Sequence, residues 1–219
     1  MPQGPWVWYQ EWNNLVFIHG RVNAEWLRPL VPANLELDLF QGDAWVSVVP
    51  FQMQKIRPRY LPHFNPISDF NEINIRTYVK VGGKPGVYFL SIEGGKQLSC
   101  AIAKGISGLP YHYEKINRAG GTFKTRYLQF NFEVKEQIEQ KTDLELWLSE
   151  RYCLYNYSGS KLSRYEIQHI AWLLQRATVT DLSLTYPLLT ATASGFKPEL
   201  FHYSPGVQVL AWPAVTIKP

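Results

Sequence analysis

Apolar and polar positions alternate along much of this chain, most cleanly over residues 70–79 (FNEINIRTYV). Glu72, Asn74, Arg76 and Tyr78 fall on one parity, and Ile73, Ile75, Thr77 and Val79 on the other. Period two predicts a β-strand whose side chains point alternately to opposite faces. One face is β-branched and apolar. The other sets a carboxylate, an amide, a guanidinium and a phenol in one row. Such a row either meets water or lines a polar cavity.

The same pattern predicts the surrounding elements. Residues 15–22 read as a first strand. Asn23 caps a short helix over Ala24 to Leu30, limited by Pro29 and Pro32. Residues 35–40 and 44–51 alternate around a Gln41-Gly42-Asp43 turn and predict a hairpin. Residues 52–69, with Pro58, Pro62 and Pro66, break the pattern and read as a long loop. Strand 70–79 turns back through Gly82-Gly83 into strand 87–92, and Gly94-Gly95 reads as another hairpin turn. Small apolar residues at helical spacing predict a buried helix over 97–106, followed by an extended segment at 109–113. Strands are expected at 121–127, 128–134, 152–157, 177–184 and 206–212, and Thr142-Asp143 caps a helix over 144–151. No internal repeat and no linker composition divides the chain, so residues 1–219 form one domain. Short strands joined by a few short helices predict a mainly β (α+β) barrel or sandwich.

Composition narrows the function classes. Hydrophobic residues make up 46% and charged residues 18%, which excludes a disordered chain. A net charge of +4 without a basic run argues against nucleic-acid binding despite a sequence pI of about 9.0. Two cysteines, Cys100 and Cys153, make no disulfide framework. With no signal-like amino terminus and no membrane-length apolar run, a cytoplasmic protein is expected. No HExxH motif, Cys/His cluster or glycine-rich phosphate loop is present, so neither a metal nor a cofactor is expected. A small-molecule ligand is the expected partner, no membrane is expected, and a homo-oligomer is left open.

Six segments, in order along nearly the whole chain, carry a resemblance: VNAEWLRPLVPANLELDLFQGDAWVSVVPF, FNEINIRTYV, GLPYHYEKI, ERYCLYNYS, QHIAWLLQRATV and SPGVQVLAWP. The order is similar to the uncharacterised YqjF-like family of the acetoacetate decarboxylase-like superfamily. This resemblance implies a β-barrel around a central cavity, with short peripheral helices. In the decarboxylase, a buried lysine follows a proline in a PKK-like segment and forms a Schiff base. A second lysine lowers its pKa, and a glutamate and an arginine line the pocket. By this resemblance Glu72 matches the glutamate and Pro110 the proline. Tyr111 stands where the Schiff-base lysine would be, and His112 where its neighbour would be. The arginine has no assigned counterpart. A phenol cannot form an imine, so the fold is expected without the lysine chemistry.

Three candidate sites result. Arg76 can grip an anion through forked hydrogen bonds, Asn74 adds an amide, and Glu72 can move a proton. The plainer alternatives are a solvated face or a Glu72–Arg76 ion pair that only supports the barrel. Tyr111 offers a cavity hydroxyl, the alternative being a packed aromatic. His169 and Trp172 offer a polar end to an apolar pocket, the alternative being a structural histidine bonded to backbone. Lys104 and Lys115 are the nearest amines that could replace the missing lysine, and both read as surface residues. The expected function is binding of a small organic acid in a barrel cavity, with or without turnover. The alternatives are a ligand-sensing barrel and an interaction protein.

Overall fold

The computed structural model describes residues 2–158 and 161–217. Its strands are β1 (Trp8–Val22), β2 (Glu36–Leu37), β3 (Ala44–Pro58), β4 (Phe70–Val81), β5 (Lys84–Gly94), β6 (Tyr111–Tyr113), β7 (Asn117–Ala119), β8 (Thr122–Lys124), β9 (Leu128–Gln137), β10 (Cys153–Ser158), β11 (Lys161–Gln168), β12 (Gln175–Leu184), β13 (Lys197–Ala211) and β14 (Val215–Thr216). The helices are α1 (Ala24–Leu27), α2 (Asn65–Ser68), α3 (Gln97–Ser107), α4 (Asp143–Ser149) and α5 (Pro187–Thr190). None is long and apolar enough to cross a membrane.

All the strands belong to one sheet, and part of it closes on itself. The order β11-β10-β5-β4-β3-β1-β13 returns to β11 where Ala211 pairs with Ile167 and Leu210 with Gln168. This ring hides the edges that an open sheet would leave unpaired. From β13 the sheet runs on through β12, β9, β8 and β7. That extension packs Phe123, Leu128 and Phe130 against Val16, Ile18, Val48, Ile73 and Ile75, on the outer face of the ring. A second apolar cluster, including Leu15, Phe17, Val49, Phe51 and Trp172, lies on the inner face.

The strand at 70–79 sits between β3 and β5, and neither of its faces meets water. Ile73, Ile75 and Val79 are buried on one side, and Glu72, Asn74, Arg76 and Tyr78 on the other. Its turn follows the sequence: Gly82 and Gly83 have φ of 56° and 77°, the left-handed pair a two-residue hairpin needs.

Several local expectations are corrected. The predicted hairpin of 35–40 with 44–51 does not form, because β3 spends both its edges on β1 and β4. Only Glu36–Leu37 is extended, and it pairs with β4. Of the turn, a single Phe40–Asp43 bridge remains. The first strand begins at Trp8 rather than 15, because Asn14 adopts φ 53° and breaks the alternation midway. The loop expected at 52–69 is half strand: β3 runs to Pro58, and α2 begins at Asn65. Helix 24–30 is capped by Asn23, whose side chain accepts from the N–H of Glu25 and Trp26, but it tightens to a 3-10 turn over Arg28–Leu30. Pro29 has no N–H to continue the α-helical pattern.

Helix α3 forms where expected and ends at left-handed Gly108, but it is not buried. Only Ser99 and Cys100 are enclosed, while Leu98, Ile102 and Ile106 are exposed. Gly94-Gly95 is not a turn either. Gly94 lies in β5 beneath α3, where a Cβ would stand 2.5 Å from Cys100 Sγ.

Candidate functional site

The ring encloses a cavity of about 520 Å³. All six candidate residues, Glu72, Asn74, Arg76, Tyr111, His169 and Trp172, line it. The inward parity of β4 supplies the first three. Across that face Glu72 lies beside Phe51 and Gly94, Asn74 beside Val49 and Ile92, and Arg76 beside Ser47 and Phe89. The pairing with β5 shifts between Ile75 and Arg76, leaving one extra residue on β5. Short β6 pairs in parallel with β5, Tyr111 opposite Ile92, and this brings Tyr111 alongside Glu72.

Tyr111 Oη donates to Glu72 Oε2 at 3.3 Å. Burial pushes Glu72 up to about 8, against the hydrogen bonds of Tyr111 and Asn74, which favour the anion. Glu72 is therefore largely a neutral acid at pH 7. Burial also drives the Tyr111 phenol well above its ordinary value, and the nearby Glu72 adds to this. The two groups form a protonated pair beside open space.

Arg76 is 8% exposed, and its Nε and Nη2 have no hydrogen-bond partner. The expected alternative of a Glu72–Arg76 ion pair is absent among the described residues. Asn74 Oδ1 is also unpartnered. A second guanidinium, not singled out in the sequence, joins the lining. Arg151, just beyond α4, donates from Nη1 to Asp38 Oδ2 at 2.6 Å and from Nε to the Trp147 carbonyl at 2.6 Å. Its Nη2 has no partner. Burial lowers the Arg76 pKa; the neighbouring Tyr78 hydroxyl, which shares a hydrogen bond with the guanidinium, opposes this, and the like charge of Arg151 adds a smaller lowering. A guanidinium stays charged even so.

His169 donates from Nδ1 to the Ile170 carbonyl at 2.7 Å, the backbone contact weighed as its plainer role. Burial lowers its pKa, so the ring is neutral at pH 7. It packs against Trp172 at 4.9 Å and Tyr152 at 4.8 Å between ring centroids. Trp172 is 3% exposed and meets Phe17 edge-on at 5.4 Å. Lys104 and Lys115 are exposed, and no described lysine lines the cavity. His112 is exposed as well.

A charged row inside an apolar shell results. Among the charged lining groups, Arg151 is balanced by Asp38, Glu72 and His169 are neutral at pH 7, and Arg76 is unbalanced. The remaining lining is mostly aliphatic and aromatic, as small-molecule sites are.

Comparison with known proteins places this geometry in a group. The DUF2071 family model, described as an uncharacterized conserved protein, matches residues 9–208. The uncharacterized protein YqjF of Bacillus subtilis (strain 168) is 35% identical, covering 97% of this chain and 93% of its own. Among solved structures, the enduracididine biosynthesis enzyme MppR, complexed with the condensation product of pyruvate and imidazole 4-carboxaldehyde, superposes with a TM-score of 0.68. It is 12% identical over 97% of this chain and 90% of that one. An acetoacetate decarboxylase gives a TM-score of 0.64 at 17% identity, over 99% of this chain and 90% of that one. The fold is therefore acetoacetate decarboxylase-like.

Proposed function

The chain belongs to the DUF2071 family of uncharacterized conserved proteins, and from that premise we propose that its cavity binds a small organic acid and moves a proton on it. One observation carries the reading: a buried guanidinium in the cavity, Arg76, has unpartnered N–H groups and forms no ion pair among the described residues. An unpaired buried charge is costly unless something fills its place, and a carboxylate matches a guanidinium fork.

In this reading Arg76, aided by the free Nη2 of Arg151, holds the carboxylate. Asn74 accepts a hydrogen bond from the ligand through Oδ1. Glu72, protonated near neutrality, stands ready as a general acid, with Tyr111 fixing its orientation. The MppR complex is bound to a product of pyruvate and an aldehyde, and supports an acid or carbonyl ligand for this fold. An imine route is disfavoured because no described lysine reaches the cavity.

The test is incubation with 3-oxo acids in deuterium oxide, followed by NMR for exchange or turnover. Parallel samples are reduced with borohydride. The expected result is exchange or turnover that Glu72→Gln abolishes, with no lysine adduct. Binding without any exchange would select the sensing alternative, and a trapped lysine would overturn the proposed route.

A further inference from the structure

Resting on the acid-binding reading, we infer that the ligand is an amphipathic monocarboxylate: an acid with an extended apolar body that runs from Arg76 to a mouth formed by α2 and α3. The alignment of lining residues along β4 gives the direction. Arg76, Asn74, Glu72 and Phe70 all line the cavity, and the lining continues through Ile67 and Phe64 around α2. At about 3.3 Å per strand residue, Arg76 and Phe70 are roughly 20 Å apart, and Arg76 and Glu72 roughly 13 Å. A three- or four-carbon acid held by the guanidinium fills only one end of that length.

The mouth end is apolar. Phe64, Ile102 and Ile106 line the cavity and are 62%, 38% and 62% exposed. Leu98, Ile102 and Ile106 follow one another at four-residue spacing along α3, so their side chains share a stripe. The helix is tied to α2 by Ser99 Oγ, which donates to the Ile67 carbonyl, and by Lys96 Nζ, which donates to the Asn65 carbonyl. Two short helices thus present aliphatic and aromatic side chains around one opening.

Charge fixes the head group. Arg151 is balanced by Asp38, whereas Arg76 forms no ion pair among the described residues and leaves its Nε and Nη2 unpartnered, so one guanidinium of the lining is free to meet an anion. A monoanion neutralises it, whereas a phosphate dianion would overshoot. A volume of about 520 Å³ suits a ligand well beyond pyruvate in size.

Calorimetric titration with butanoate, dodecanoate and 1-dodecanol, the long chains kept below micelle-forming concentrations, separates the ligand's parts. Each buried methylene strengthens binding about fourfold. Dodecanoate is therefore expected to bind at least tenfold tighter than butanoate, and 1-dodecanol to bind far more weakly than dodecanoate. Arg76→Met should weaken both acids by a similar factor. Ile106→Asp, at a position exposed enough to leave the fold intact, should weaken dodecanoate at least threefold and leave butanoate unchanged. If butanoate binds and dodecanoate binds no tighter, the extended body is overturned while the acid-binding reading stands. If Ile106→Asp weakens both acids equally or neither, the mouth assignment is overturned. If neither acid binds, or Arg76→Met changes nothing, both readings fall.

Discussion

Arg76 is the residue on which the account turns. Its guanidinium is enclosed, charged and only partly hydrogen-bonded, an arrangement that stability alone does not favour. Arg76→Met is therefore expected to raise the stability of the ligand-free protein by about 1–3 kcal/mol, the scale of an unsatisfied buried polar group, as measured by urea unfolding. Glu72 carries the opposite kind of cost, one that depends on pH. Its folded pKa, about 8, lies above the ordinary carboxyl value of 4.5. The folded protein thus keeps a proton that the unfolded chain releases. Its contribution is fully present below about pH 4.5 and is lost as pH rises through 8. Glu93, held by Tyr186 Oη at 2.6 Å on the other face of the sheet, is pushed by burial to about 7 and acts in the same sense. Buried His19, His169 and His202, held below their ordinary value by burial, act in the opposite sense, so the difference is the readout: the urea midpoint of Glu72→Gln should gain on that of the wild type as pH rises from 5 to 8. Glu72, Asn74 and Arg76 could be read from the sequence because strict parity put them on one face. Arg151 could not, because it follows a helix, and only the tertiary fold brings it to Asp38 and the cavity.

At the scale of elements, the contact between β5 and α3 shapes the cavity wall. Gly94 leaves room for Cys100, whose Sγ approaches the carbonyls of Gly94 and His112 at 3.5 and 3.4 Å. Gly94→Ala places a methyl group 2.5 Å from that sulfur, and should destabilise by about 1–3 kcal/mol as an overpacked core does. In a Cys100→Ala background most of that cost should vanish, since the next atom, Phe70 Cε2, is 3.5 Å away. A double-mutant cycle on unfolding midpoints measures the coupling. The sequence located α3 but assigned it the wrong surroundings. Its apolar spacing marks an amphipathic helix without saying whether that stripe meets a core or an opening. The hairpin of 35–40 with 44–51 failed for a related reason: local turn chemistry cannot tell which partner takes each edge of β3, and β1 and β4 took both.

For the whole molecule, the mainly β architecture of the sequence reading agrees with one continuous sheet, most of whose strands lay near their predicted positions. The closure of that sheet was implied by the family resemblance and not by the alternation itself, because β11 meets β13 through only two residue pairs, too few to leave a periodic signal. Closure is also what turns the polar row of β4 inward and makes Arg76 an enclosed charge. The most direct test of this claim compares thermal midpoints of the wild type and Arg76→Met with and without excess butanoate. A ligand bound only by the folded state, at one hundred times its Kd, stabilises by about 2.7 kcal/mol, a rise of several degrees for a domain of this size. The account predicts that rise in the wild type, together with a higher ligand-free midpoint and a clearly smaller rise in Arg76→Met at the same butanoate concentration. A lower ligand-free midpoint in Arg76→Met, with an undiminished response to butanoate, would contradict it.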